Sequence, residues 1–319
     1  MKKILGLLLV PTLMFILFAG CGSKQKDSEK RVPGVTTSEN MVGNFSIYTE
    51  KISFIEPLMI DDDFGKVFFA VSDDIYYILT DGSIKQYKLK ENSLVYEKEL
   101  PHSCEYDYIF TDDNGILYAS KFGSDFSVFR DGEQIYNYKW IDRLTIHPSG
   151  NWGISWFVSP DVKVVLLSRD EIRCCDISYS ELSILSSLNI SQTHIIVAGI
   201  TQSNESSAIF VYNKDDDSLE LVIGGKEFDE PGYMSHVAAV VETKNGYMVL
   251  DSNMKTILFW ASDGTYIDTI DNTDMFKTTC PRLCTAVLMP DGSIIIGMTD
   301  GVIGSNSTKE FMIYRITGF

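Results

Sequence analysis

One pattern recurs along this chain and restricts its possible folds: a short apolar run, a turn of two to five residues rich in Asp, Asn, Pro and Gly, and a second apolar run. Clear copies are YIFTDDNGILYAS, which turns at Gly115, and AVLMPDGSIIIG, which turns at Gly292. Asn-Gly and Asp-Gly favour the positive φ values that tight hairpin turns require. The runs are short and rich in Ile, Val, Phe and Tyr, which favours strands over helices. The sequence therefore predicts an all-β chain built from hairpins.

The hairpins recur at a nearly regular spacing. Five turn glycines are separated by 50, 35, 96 and 46 residues. They are Gly65, Gly115, Gly150, Gly246 and Gly292. The interval of 96 residues contains a copy without glycine, LSILSSLNISQTHIIVAG, which turns near Ser191. Six units of about 45 residues then fill the chain, a period typical of a β-propeller with four strands per blade. The prediction is a six-bladed β-propeller of four-stranded antiparallel blades over residues 45–319; the alternative, two β-sandwich domains, leaves the period unexplained.

A second set of turns and the two chain ends complete this prediction. Asp81-Gly82, Asp131-Gly132 and Asp263-Gly264 are expected to turn the outer hairpins of three blades. Residues 45–54, FSIYTEKISF, are expected to form one or two additional strands ahead of the first unit, and the chain ends with the apolar stretch FMIYRITGF. The N-terminal strand is therefore predicted to complete the last blade and close the ring, which removes exposed sheet edges.

One blade resembles a known repeat. NGYMVLDSNMKTILFWASDGTYI is similar to the NHL repeat, in which an Asp-Ser turn and a Lys-x-Ile-x-Phe strand precede a final Asp-Gly. The matching residues are Asn245, Gly246, Asp251, Ser252, Lys255, Ile257, Phe259, Asp263 and Gly264, and Asn253 lies one place from the family's Asn. The match covers about 26 residues. The resemblance implies a six-bladed propeller, which this family uses for protein or RNA binding, for lyase chemistry or as plain structure. Asp251, Ser252 and Asn253 are themselves expected to stabilise a tight turn.

The N-terminus has the features of a secretory signal. Lys2 and Lys3 precede the apolar stretch Ile4–Phe18, which is shorter than the roughly 20 residues of a membrane span. The stretch ends LFAGC, and this resembles the lipobox of bacterial lipoproteins, which implies cleavage before Cys21 and diacylation of its sulfur. Two acyl chains suffice for stable membrane anchoring. Residues 1–20 are therefore predicted to be a lipoprotein signal peptide; plain secretion and an uncleaved anchor are the alternatives.

The segment that follows is polar, and the whole chain is acidic. Residues 21–44 are predicted to be the lipid-attachment cysteine and a flexible tether, because they lack apolar periodicity. The chain has a formal net charge of −17. Such a charge disfavours nucleic acid as a partner, and it is compatible with a cationic peptide or protein.

No catalytic group, metal or cofactor is predicted. The four histidines occupy different positions within their units; they are His102, His147, His194 and His236. The acidic hairpin NKDDDSLELVIG lacks the glycine and the final glutamate of a calcium-binding loop. The cysteines outside the lipobox show no zinc-ligand spacing, although Cys280 and Cys284 are close enough in sequence for a small disulfide loop.

Candidate binding residues lie in the loops that lead into the first strand of each unit, because these loops meet at one end of a propeller's channel. They are Glu105, Tyr106, Asp142, Arg143, His236 and Arg282. The two arginines are notable in an acidic chain, since a guanidinium binds a carboxylate through two parallel hydrogen bonds; rim salt bridges are the alternative.

The sequence thus favours a lipoprotein on the extracytoplasmic face of the cell membrane, anchored in the bilayer through Cys21. Its propeller is expected to bind an envelope protein, a peptide or a small ligand without catalysis. A metal-dependent lactonase, hydrolase or lyase is the main alternative, and a ring that only spaces the anchor from other components is a third.

Overall fold

The structure is a computed structural model. It describes residues 37–60, 68–101, 105–106, 108–111, 115–120, 126–138, 144–146, 152–158, 161–167, 172–175, 177, 182–202, 206–278, 281–300 and 309–319. These residues belong to one compact unit, Val35–Phe319. Within the described ranges the chain is almost entirely β-strand, with a single short α-helix, so the all-β prediction is confirmed.

The elements follow one another along the chain with few interruptions. The first strands are β1 (Thr37–Val42), β2 (Phe45–Phe54), β3 (Met59–Ile60), β4 (Phe68–Ser72), β5 (Ile75–Thr80), β6 (Ser83–Lys90), β7 (Ser93–Glu99), β8 (Tyr108–Thr111), β9 (Leu117–Ser120), β10 (Phe126–Arg130), β11 (Glu133–Tyr138), β12 (Leu144–Ile146) and β13 (Trp152–Val158). They are followed by β14 (Asp161–Leu167), β15 (Ile172–Cys175), β16 (Leu182–Ile190), β17 (His194–Thr201), β18 (Ser207–Asn213), β19 (Leu219–Gly224), β20 (Val237–Thr243), β21 (Gly246–Asp251), β22 (Thr256–Ala261), β23 (Tyr266–Asp271), α1 (Asn272–Phe276), β24 (Pro281–Leu288), β25 (Ile294–Asp300) and β26 (Lys309–Thr317).

The strands form one large sheet and four smaller ones. Sheet A has ten strands, in the order β24-β25-β26-β2-β7-β6-β5-β4, with β1 added to β2 and β3 added to β26. Sheets B (β8–β11), C (β12–β15), D (β16–β19) and E (β20–β23) each have four strands that pair in chain order. In sheet A we distinguish a first arm, β4–β7, from a last arm, β24–β26 with β2. Among the described residues, the strand pairing between the arms consists of two parallel residue pairs, between β2 and β7.

The core lies between successive sheets, which explains the near-continuous apolar strands. All six residues of β21 are buried, as are six of seven in β18. Both faces of such a strand are covered by neighbouring sheets. A strand that alternated polar and apolar residues would therefore bury polar groups on one of its faces. One apolar cluster joins sheets D and E, and another joins sheet E to the last arm of sheet A. A third joins the two arms of sheet A and includes Tyr76, Ile78, Ile295 and Ile313.

The predicted pairing of the chain ends is confirmed. Residues Tyr48–Ile52 of β2 pair antiparallel with Ile313–Thr317 of β26. β1 then pairs with β2 along its whole length, and Ser38 Oγ donates a hydrogen bond of 2.8 Å to the Met275 carbonyl. The segment 21–44, expected to be only a tether, therefore includes a strand.

Most of the predicted hairpins are confirmed, and two assignments are wrong. β8–β9, β12–β13, β16–β17, β20–β21 and β24–β25 are paired neighbours, as the repeating pattern predicts. The two strands expected to pair around Gly65, β3 and β4, do not pair with each other; β3 pairs with β26 and β4 with β5, and Gly65 itself lies outside the described residues. Asp81-Gly82 joins the second and third strands of its arm, not an outer hairpin. An apolar run with a turn on each side can pair with either neighbouring strand, and the sequence around Gly65 and Gly82 does not distinguish the two choices.

Several tyrosines are buried between the sheets, and the stability of the fold is therefore expected to decrease at alkaline pH. Burial, with smaller contributions from nearby carboxylates, raises the pKa of Tyr77 and of Tyr247 to about 12, and burial mainly raises that of Tyr87 to about 12. The unfolded chain releases these protons near pH 10, so the folded state is favoured below that pH and loses stability between about pH 10 and 12. We expect the free energy of unfolding to decrease progressively over this pH range as the unfolded chain ionises. Urea denaturation from pH 9 upward checks this, and the Tyr247→Phe variant should show a smaller fall.

Candidate functional site

The structure describes only part of the set of binding residues predicted from sequence. Glu105 and Tyr106 precede β8, and His236 precedes β20, as expected. Arg282 lies inside β24 and not in the loop before it, because Pro281 begins that strand and Arg282 pairs with Thr299. Proline is tolerated at the first residue of a strand, so it did not stop the strand here. Cys21, Asp142 and Arg143 lie outside the described residues.

Tyr106 belongs to an apolar cluster between sheet B and the first arm of sheet A. Its side chain is buried, its hydroxyl donates a hydrogen bond of 2.9 Å to Ser127 Oγ, and its ring packs edge-on against Phe129. Its backbone N–H donates to the Gly82 carbonyl, while the neighbouring Glu105 is exposed. The phenol of Tyr106 thus supports the fold, and the carboxylate beside it faces solvent.

The best-defined site lies where the chain enters β20. The carboxylate of Asp251 is fully buried and accepts four backbone N–H groups. Two come from the loop before β20, Ser235 at 2.6 Å and His236 at 3.3 Å. Two come from the β21–β22 turn, Asn253 at 3.0 Å and Met254 at 2.9 Å. One side chain therefore locks two loops together, and the predicted turn-stabilising role of Asp251 is confirmed.

Further hydrogen bonds connect the same two loops. The backbone N–H of Ser252 donates to the His236 carbonyl at 3.0 Å, and Asn253 Nδ2 donates to Ser235 Oγ at 3.3 Å. The imidazole of His236 is half-buried and makes no hydrogen bond within the part of the chain that the structure describes. Asn253 is exposed, and 42% of Met254 is exposed. We call His236, Asn253 and Met254 the His236 platform: side chains available to a ligand on a backbone held rigid by Asp251.

A second polar cluster lies at the opposite end of these strands, and sequence reasoning missed it. His194 Nδ1 lies 2.7 Å from Glu242 Oε1, and His194 Nε2 lies 3.1 Å from Glu220 Oε2. Glu242 is on β20 while His194 and Glu220 are on sheet D, so the imidazole links two sheets. Nothing in the sequence indicates this contact, because the partners are 26 and 48 residues apart. The cluster stabilises a sheet junction.

The acidic β18–β19 hairpin is held by its own side chains. Asp216 Oδ1 accepts hydrogen bonds from the Ser218 N–H at 3.0 Å and the Ser218 hydroxyl at 2.6 Å, and Asn213 Oδ1 accepts the Asp215 N–H at 2.9 Å. These are local turn contacts of the kind that Asp and Asn favour. Across the described ranges, no three His, Cys, Asp or Glu side chains are grouped so that they could hold a metal ion. Those ranges also contain no helix with the length and apolar character needed to cross a membrane.

Comparisons with known proteins reveal the fold and no closer relationship. No protein-family model and no curated protein matches the sequence. Among solved structures, the WD40 β-propeller domain of Doa1 is similar, with a TM-score of 0.50, 12% identity and 88% of each chain covered. A luciferin-regenerating enzyme has a TM-score of 0.54 and 12% identity over 83% of this chain and 96% of its own. Hydrazine synthase of Kuenenia stuttgartiensis has a TM-score of 0.52 and 12% identity over 75% of this chain and 81% of its own.

These neighbours include both a WD40 domain and two enzymes, so they do not distinguish binding from catalysis. At 12% identity they carry no information about ligands. They do agree with the stacked four-stranded sheets described above, and the chain has a β-propeller-type fold.

Proposed function

We propose that this protein is a lipoprotein of the cell envelope, anchored through an acylated Cys21, whose β-propeller binds a protein, peptide or small ligand without catalysis. The His236 platform is the proposed contact surface. The observation that carries the binding function is the rigid backbone beneath this platform, since Asp251 accepts four N–H groups from the two loops that form it. A preorganised surface binds with a smaller entropic cost than a loop that must order on contact.

The propeller is proposed to have six blades, as the NHL-like period implies. Sheets B to E supply four blades, and the two arms of sheet A supply the other two. The separation of the arms is supported by their short strand pairing, which among the described residues consists of Ser53 with Ser93 and Phe54 with Leu94. Each arm also has four strands, and β2 provides the fourth strand of the last arm.

The anchoring part of the proposal has a direct test. In the Cys21→Ser variant the lipobox lacks its sulfur, so we expect the protein to leave the membrane fraction of fractionated cells. The matched control is Cys104→Ser, a cysteine outside the lipobox, which should stay with the membrane. Retention of Cys21→Ser in a membrane pellet washed with high salt would contradict lipid anchoring.

The binding part is tested by purifying the chain with its partners after chemical crosslinking on intact cells. The double variant His236→Ala, Met254→Ala should lose the specific partner without losing thermal stability, because neither side chain makes a hydrogen bond to the part of the chain that the structure describes and Met254 is exposed. Lys244→Ala is the control, since this exposed residue lies in the turn at the other end of the β20–β21 hairpin. A metal-dependent rise in melting temperature that a chelator abolishes would support the enzymatic alternative instead.

A further inference from the structure

The loop between β19 and β20 displays an aromatic side chain in solvent. Phe228 is 66% exposed, the largest fraction among the large apolar residues that the structure describes. Its ring packs edge-on against Tyr233, with 5.2 Å between the ring centroids. Scattered single apolar residues on a surface are ordinary. Phe228 differs because its loop, Gly225–Tyr233, is fastened by several hydrogen bonds within itself and to neighbouring strands; we call this segment the Phe228 loop.

The Phe228 loop is fastened by its own hydrogen bonds. The Glu227 N–H donates to Glu230 Oε2 at 2.9 Å, and the Glu230 N–H donates back to the Glu227 carbonyl at 3.1 Å. The Tyr233 N–H donates to the Glu230 carbonyl at 3.0 Å, which closes the next turn. Asp229 adopts a φ of 77°, a conformation that Asp tolerates better than most residues.

Both ends of the Phe228 loop are attached to the body of the fold. The Gly225 N–H donates to the Ser207 carbonyl at 3.0 Å, and the Ser207 N–H donates to the Met234 carbonyl at 2.8 Å. Gly232 lies against the indole of Trp260, so closely that an added Cβ would come within 2.5 Å of the ring. The exposed Phe228 ring is therefore presented by a braced turn, and ordering it on contact with a partner costs little entropy.

The charge around Phe228 indicates the chemistry of the partner. Glu227, Asp229 and Glu230 are exposed, and Lys226 is the one basic residue among them, so this short segment carries a net charge of −2. An exposed aromatic ring with acidic neighbours on both sides in the same loop complements an apolar pocket or side chain that is bordered by Lys or Arg. The carboxylates of this loop would repel anionic partners such as nucleic acid or acidic lipid.

We propose that the Phe228 loop is a docking surface for a cationic peptide segment that combines bulky apolar side chains with Lys or Arg. The inference rests on the proposed binding function and names the class of partner. Phe228 supplies the apolar contact, and Glu227 and Asp229 supply charge complementarity. Glu230 is a positioning residue, because its carboxylate holds the turn.

The test uses the full chain, purified in detergent, and a library of random 12-residue peptides displayed on phage. Enriched peptides are synthesised, and their affinities are measured by fluorescence anisotropy. We expect the enriched sequences to carry several Lys or Arg together with Trp, Leu or Phe. Phe228→Ala should weaken binding by at least about tenfold, the size typical of an aromatic hot spot. Ile55→Ala, which changes an apolar side chain of similar exposure, 64%, should leave binding within about twofold.

A second variant tests the charge contribution. Glu227→Gln with Asp229→Asn keeps the shape of the loop and removes two negative charges, so binding should weaken about three- to tenfold at low salt and less at high salt. The proposal is overturned if enriched peptides lack basic residues, if Phe228→Ala binds them as the wild type does, or if no peptide is enriched over a selection on Phe228→Ala. If the peptides depend on His236 and Met254 but not on Phe228, the proposed function stands and this inference fails.

Discussion

Replacing Gly246 with alanine is expected to lower the free energy of unfolding by at least about 4 kcal/mol, because no local adjustment can accommodate the added methyl group. Gly246 has a φ of 138°, which side chains of L-residues rarely adopt. A Cβ at this position would lie 2.0 Å from the Trp260 carbonyl oxygen and 2.8 Å from the Ala261 carbonyl carbon. Both atoms belong to the backbone of β22, so relieving the clash breaks the β21–β22 pairing. Urea denaturation of the purified variant measures the loss.

Gly292 provides a matched control for Gly246. It also turns a hairpin with a positive φ, 81°, but an added Cβ would meet no atom within 4 Å. Gly292→Ala should therefore cost only about 1 kcal/mol, the backbone strain of a left-handed alanine. If the two substitutions had equal effects, backbone conformation alone would explain both. That result would contradict the close contact between Gly246 and the backbone of β22.

Replacing Asp251 with alanine is the second change with a large expected effect. It removes the acceptor of four backbone N–H groups from a side chain that is fully buried. Each of these part-buried N–H groups left without an acceptor is costly, and we expect a loss of about 3 kcal/mol in the free energy of unfolding. Asp251→Asn should lose about 2 kcal/mol, because the amide keeps one acceptor oxygen but directs its N–H₂ group at other donors.

Two measurements check the role of Asp251. Urea denaturation gives the stability loss, and amide hydrogen exchange should show faster exchange at Asn253 and Met254 in the alanine variant. Asp215→Ala serves as the control, because this aspartate is exposed and should change stability by less than about 0.5 kcal/mol. If the Asp251→Ala protein were as stable as the control, water would be replacing the carboxylate as the acceptor. Asp251 would then not be what holds the backbone of the His236 platform in place.

The parts of the fold that sequence predicted are those encoded by local chemistry. Asn245-Gly246 marks the β20–β21 turn because glycine alone suits its φ of 138°. The copy without glycine, around Ser191, was still recognisable because two long apolar runs flank it, and they form β16 and β17. The role of Asp251 was also predictable, since Asp at the start of a turn commonly accepts N–H groups of the residues that follow.

The parts that sequence could not predict depend on long-range pairing. Met59–Ile60 reads as the first strand of a hairpin, yet it pairs with Glu310 and Lys309 at the other end of the chain. The contact of His194 with Glu220 and Glu242 joins different sheets, and no spacing rule anticipates it. The Phe228 loop has no recognisable sequence motif. Its conformation could not be predicted because it depends on contacts with Ser207 and Trp260, which belong to other strands.

The central claim is that an anchored propeller contacts a partner through the His236 platform, and site-specific photocrosslinking on intact cells tests it most directly. A photoreactive benzoylphenylalanine replaces Met254 in one variant and Lys244, at the opposite end of the same sheet, in another. After irradiation, we expect position 254 to give a discrete adduct of higher mass in the membrane fraction, and position 244 to give none. Adducts of equal yield at both positions, or none at position 254, would contradict the account.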